Sequence, residues 1–121
     1  MTVMSLGYIG IGVKDVAAWR RYSEEILGMA TQDDGAGGLK LRIDSRDYRV
    51  LVQPSGEEDI KFAGWEMKDA AALDALGKKL EAAGVKISCD DGSLAKQRGV
   101  LDIISFLDPA GVVCEAYWGA T

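Results

Sequence analysis

The chain has 121 residues, 48% of them hydrophobic and 27% charged, with two prolines and a formal net charge of −5. That is the composition of one globular domain, and its acidic balance excludes a surface built to neutralise nucleic-acid phosphates. There is no histidine, which removes Ser–His and Cys–His nucleophile pairs, histidine acid–base chemistry and every His-ligated metal site.

The N-terminal run has no basic head, and Lys14 closes its apolar stretch early. It reads as a strand over Leu6–Val13, neither an export signal nor a membrane span, so a cytoplasmic location is expected. A helix is predicted from Asp15 to Leu27, with Asp15 as N-cap and Gly28 as the residue that stops it. Val16, Trp19, Tyr22, Ile26 and Leu27 fall on its apolar face, and Arg20, Arg21, Glu24 and Glu25 on the other. The Asp33–Gly38 stretch is a glycine-rich loop. It follows no predicted strand and opens no helix, so it lacks the setting a phosphate cradle requires. Leu39–Asp44 alternates as a strand, turns through Ser45, Arg46 and Asp47, and returns as Tyr48–Gln53.

The second half repeats this order. Ile60–Met67 reads as a strand, and Asp69–Ala83 as a helix capped by Asp69 and stopped by Gly84, with Leu73, Leu76, Leu80 and Ala83 as its apolar stripe. Val85–Ser88 is a short strand candidate. Ser93–Gly99, carrying Lys96 and Arg98, reads as a solvated loop. Leu101–Leu107 turns at Asp108-Pro109-Ala110-Gly111 into Val112–Trp118, with proline where its fixed φ suits a tight turn. Val13-Lys14-Asp15-Val16-Ala17 and Met67-Lys68-Asp69-Ala70-Ala71 are the same step, placed ahead of each helix. The expected fold is therefore α+β, one domain of paired βαβββ modules (about 1–56 and 57–121) joined near Pro54–Asp59. Cys89 and Cys114 form no Cys-x-x-Cys pair and are read as reduced thiols.

Four stretches of this pattern carry a family resemblance. They are Ser5–Ile9 with Val13–Trp19, then Arg42-Ile43-Asp44-Ser45-Arg46, then Phe62-Ala63-Gly64-Trp65-Glu66, then Phe106–Gly111 through Glu115-Ala116-Tyr117-Trp118-Gly119. Together they resemble the N-terminal domain of the type I extradiol dioxygenases, the 2,3-dihydroxybiphenyl 1,2-dioxygenase kind. This group lies in the vicinal oxygen chelate superfamily, with glyoxalase I and the bleomycin-resistance proteins. The resemblance implies a parent enzyme in which a second domain of the same fold binds Fe(II) through two histidines and a glutamate, leaving positions open for a catecholate and O2.

Carried onto this chain, the first ligand position holds Tyr8, the second falls at Ala63-Gly64, and the third is Glu115. The family's tyrosine slot is Ser105, and its histidine slot falls near Lys96–Arg98. One carboxylate does not hold Fe(II) against water, so no catalytic, cofactor-binding or metal-ligating residue is assigned. Glu115 reads as solvated or paired with Arg or Lys, Tyr8 as a core or cavity-lining residue, and Trp19 and Tyr22 as packing residues. Trp65, Tyr117 and Trp118 cover a core or meet a partner domain.

The leading expectation is a non-catalytic N-terminal domain that supports a homologous Fe(II) domain, or assembles as a homo-oligomer, with no nucleic acid or membrane partner. A chain ending just after the second module reads as a domain cut. A free-standing dimeric binding protein of the bleomycin-resistance type, taking a small cationic aromatic ligand, is the alternative. A glyoxalase-type isomerase or lyase is disfavoured by the missing imidazoles.

Overall fold

The computed structural model describes residues 3–46, 48–89 and 92–120. Asp47, expected in a turn, and Met1, Thr2 and Thr121 lie outside them. The chain forms two compact units, one of Tyr8–Lys61, the other of Met1–Gly7 with Phe62–Thr121. Strands β1 (Val3–Val13) and β5 (Asp59–Met67) each run from one unit into the other.

In the Tyr8–Lys61 unit the strand order is β2-β3-β4-β1, with β2 Ala30–Asp33, β3 Leu39–Arg42 and β4 Val50–Pro54. β1 and β4 are parallel, and the other pairs antiparallel. Val13, Leu39, Leu41 and Val52 point to one face and form its core, with Ile11, Val16, Trp19, Met29 and Val50 packed against them. Strand β2 is absent from the sequence expectation. Its residues Ala-Thr-Gln-Asp are largely exposed and carry no alternation, so pairing with β3 rather than local pattern makes it a strand. The glycine-rich loop between them is closed by Asp34, whose Oδ1 accepts from the amides of Ala36 (2.7 Å) and Gly38 (2.9 Å). The amides a phosphate would use are engaged by the chain's own carboxylate.

The first helix starts as expected, with Asp15 Oδ1 accepting from the Ala18 amide at 3.0 Å. It departs in its last turn. α1 covers only Val16–Arg21, and Tyr22–Ile26 continue it as a π turn, with the Leu27 amide donating to the Tyr22 carbonyl at 3.1 Å. The wider turn rotates the expected apolar face. Val16 and Trp19 pack on the core, but Tyr22, Ile26 and Leu27 are exposed (47%, 71% and 47%), and Ser23 takes the buried place.

In the other unit the order is β5-β8-β7-β6, with β6 Ser88–Cys89, β7 Asp102–Leu107 and β8 Val113–Trp118. β5 and β8 are parallel, and the other pairs antiparallel. Helix α2 (Ala70–Ala82) is capped by Asp69, which accepts from the Ala72 amide at 2.8 Å. Its Leu73 and Leu76 are buried with Met67, Ile104 and Ala116, and Leu80 packs beside them. Ala83, expected on this stripe, is exposed because it is the C-cap residue, past the last regular turn. The strand expected over Val85–Ser88 begins only at Ser88, where pairing with Ser105 starts.

Ser93–Gly99 is not a loop. Ser93–Arg98 form helix α3, which buries Ala95 and Arg98. The β7–β8 turn repeats the device of the glycine loop, Asp108 Oδ1 accepting from the amides of Ala110 (2.9 Å) and Val112 (2.8 Å). Cys89 is exposed and Cys114 buried, both as free thiols.

Candidate functional site

Side chains alternate across a strand. On β8, Ala116 faces the α2 core, so Glu115 and Tyr117 face the other side of the sheet. Register places Gly64 of β5 and Ser105 of β7 on either side of Glu115. Gly64 contributes no side chain, which leaves room above the strand. Arg98, delivered from α3, reaches the Glu115 carboxylate. Its Nε donates to Glu115 Oε1 at 2.9 Å and its Nη2 to Oε2 at 3.0 Å. Both side chains are buried, 8% and 4% exposed. The guanidinium also lies over the Phe62 ring, 4.3 Å from its centroid. Two parallel charge-assisted bonds to one carboxylate are the strongest pairing an arginine makes.

Glu66 and Tyr117 stand opposite one another in the β5–β8 register. Glu66 is 6% exposed and accepts from Ser5 Oγ at 3.3 Å. Tyr117 is buried beneath Gly7, where a Cβ would lie 1.8 Å from the tyrosine hydroxyl oxygen. Only glycine leaves that hydroxyl its place.

In the Tyr8–Lys61 unit, Tyr8 is 3% exposed and its ring sits 5.5 Å from that of Tyr48, tilted by 51°. Lys40 Nζ lies 5.5 Å from the Tyr48 ring centroid. The Arg42–Arg46 stretch forms a locked turn. The Arg46 amide donates to Asp44 Oδ1 (3.0 Å), Arg49 Nε to Oδ2 (2.8 Å) and Arg42 Nε to the Asp44 carbonyl (3.0 Å). The Arg46 amide holds the Asp44 carboxyl below its ordinary value near 3.8, against an opposing loss of hydration and with the further help of the Arg49 guanidinium.

A family model described as dihydroxybiphenyl dioxygenase BphC D1 matches residues 6–55. The biphenyl-2,3-diol 1,2-dioxygenase of Paraburkholderia xenovorans (strain LB400) is 44% identical over 121 residues, 100% of this chain and 41% of that protein. A crystal structure of catechol 2,3-dioxygenase has a TM-score of 0.93 at 33% identity, over 98% of this chain and 40% of the other. Over its full length the chain is similar to part of these dioxygenases. It spans about 40% of the length of the curated relatives it matches. The Mn(II)-bound glyoxalase from Novosphingobium aromaticivorans shares the fold, with a TM-score of 0.87 at 23% identity over 100% of this chain and 42% of that one.

The residues at the family's ligand positions do not fit a ferrous ion. Tyr8 is packed on Tyr48, Ala63 and Gly64 offer no donor, and both oxygens of Glu115 are engaged by Arg98. Among the described residues, no three His, Cys, Asp or Glu side chains group as a metal would require. Lys96 is exposed on α3, Trp65 half-buried, and Trp118 packed against the α2 core.

Sequence reasoning missed Arg98 as the partner of Glu115, and Glu66 altogether. Glu66 was findable, because it shares strand parity with Phe62 and Gly64. Arg98 was not, because α3 is too short to show a helical period and begins after a glycine cap.

Proposed function

We propose that this chain is the non-catalytic supporting domain of an extradiol catechol dioxygenase that acts in the cytoplasm in the breakdown of aromatic compounds. In this reading, ring opening of a 2,3-dihydroxybiphenyl-type diol belongs to a homologous domain with its own Fe(II), and this chain gives that domain a packed surface and helps subunits assemble. The observation that carries it is the buried fork between Arg98 and Glu115. The one carboxylate that the family pattern leaves in a ligand position is saturated by an internal cation.

The chain's coverage of about 40% of its relatives supports a second domain as its partner. No helix among the described residues is long and apolar enough to cross a membrane. The test is anaerobic reconstitution of the purified chain with Fe(II), followed by metal analysis and an assay of 2,3-dihydroxybiphenyl cleavage in air. The expected outcome is no retained stoichiometric iron and no ring-opened product. Turnover by the chain alone overturns the proposal.

A further inference from the structure

Glu115 stands in the interior of the sheet, where an uncompensated carboxylate is costly enough that a cation must accompany it. The surroundings select the shape of that cation. A fork of two acceptors, Oε1 and Oε2, meets Nε and Nη2 one to one, and the Phe62 ring lies against the group. An ammonium or a spherical ion satisfies neither the fork nor the ring as a flat, delocalised guanidinium does.

The cation is delivered by a short helix. Helix α3 has six residues, buries only Ala95 and Arg98, and is bracketed by Gly92 and Gly99, both in the left-handed region (φ 104° and 72°). Arg98 is the charged side chain that α3 buries, and the carboxylate and ring that meet it lie on β8 and β5.

We propose that Glu115 and Phe62 form a guanidinium-binding socket that the chain fills with its own Arg98, and that the socket accepts an alkylguanidinium from solution once that side chain is removed. The probe is n-propylguanidinium at millimolar concentration, added to the Arg98→Ala chain, with thermal unfolding followed by near-UV circular dichroism. A saturable rise in Tm is expected in this variant, absent from the unsubstituted chain and from Arg98→Ala combined with Glu115→Gln. Phe62→Leu in the Arg98→Ala background is expected to weaken the apparent affinity several-fold.

If Arg98→Ala does not fold unaided, recovery of its near-UV spectrum on adding the alkylguanidinium is the same positive result, and failure to recover overturns the proposal. An equal Tm rise with n-butylammonium or Mg2+ also overturns it, because the socket then reads charge and not shape. So does an undiminished rise in the doubly substituted chain.

Discussion

Arg98 and Glu115 illustrate why a buried ion pair is costly to break and cheap to replace. Arg98→Ala strands a carboxylate in the sheet, and the expected loss is about 3–5 kcal/mol by urea unfolding, a large part of the stability of a domain this size. Arg98→Met with Glu115→Leu removes both charges and is expected to recover most of that loss. Gly7→Ala drives a methyl group into the Tyr117 hydroxyl, and the expected cost is about 1–3 kcal/mol in the same measurement.

Asp44 makes a pH prediction. Its folded pKa is depressed, so its contribution to stability is fully present above the unfolded value near 3.8 and is lost as pH falls through the folded one. The stability difference between the unsubstituted chain and Asp44→Asn is therefore expected to shrink on acidification below about pH 4, read as Tm against pH. At this scale the type of partner for Glu115 was legible from chemistry alone, since strand carboxylates are solvated or paired. Which arginine it would be depended on tertiary placement.

The two helices show what periodicity can and cannot carry. Asp15 and Asp69 cap as the residue types dictate, and α2 keeps its leucine stripe. The first helix begins the same way, but the π turn rotates its last residues after Arg21. No single residue from Tyr22 to Ile26 announces that change, because i→i−5 bonding reflects how the segment is held at both ends. The consequence is testable at Ile26. On the expected face Ile26→Lys would bury a charge, but with the side chain 71% exposed the expected change is within about 0.5 kcal/mol.

Gly77 offers the opposite case in α2. A Cβ there would meet Ile87 Cδ1 at 3.5 Å and Ile104 Cδ1 at 3.9 Å, ordinary contacts. Gly77→Ala should stabilise the chain by about 0.4–1 kcal/mol in urea unfolding, by helix propensity and a stiffer unfolded chain.

For the whole molecule, the repeated Lys-Asp step placed strands and helices in the right order, but compactness follows a different division. The repeat divides the chain in its middle, whereas the compact units exchange strand segments. Residues before Tyr8 belong with the unit that contains Phe62–Thr121, and Asp59–Lys61 belong with the other. Sequence similarity between modules cannot reveal this, because it is a property of which strand ends pack on which core.

Among the described residues, Val3, Ser5 and Gly7 tie the N-terminal segment to the unit that contains Phe62–Thr121. Val3 packs on the α2 core, Ser5 donates to Glu66, and Gly7 leaves space for Tyr117. Deleting residues 1–7 thus removes an apolar contact and a partly buried hydrogen bond far along the chain, a loss of about 2 kcal/mol. Hydrogen exchange should report it where the contacts end, with β5 and β8 amides opening about tenfold or more faster in the truncated chain. Unchanged protection at Glu66 and Tyr117 would mean that the strand's first residues contribute nothing to that unit.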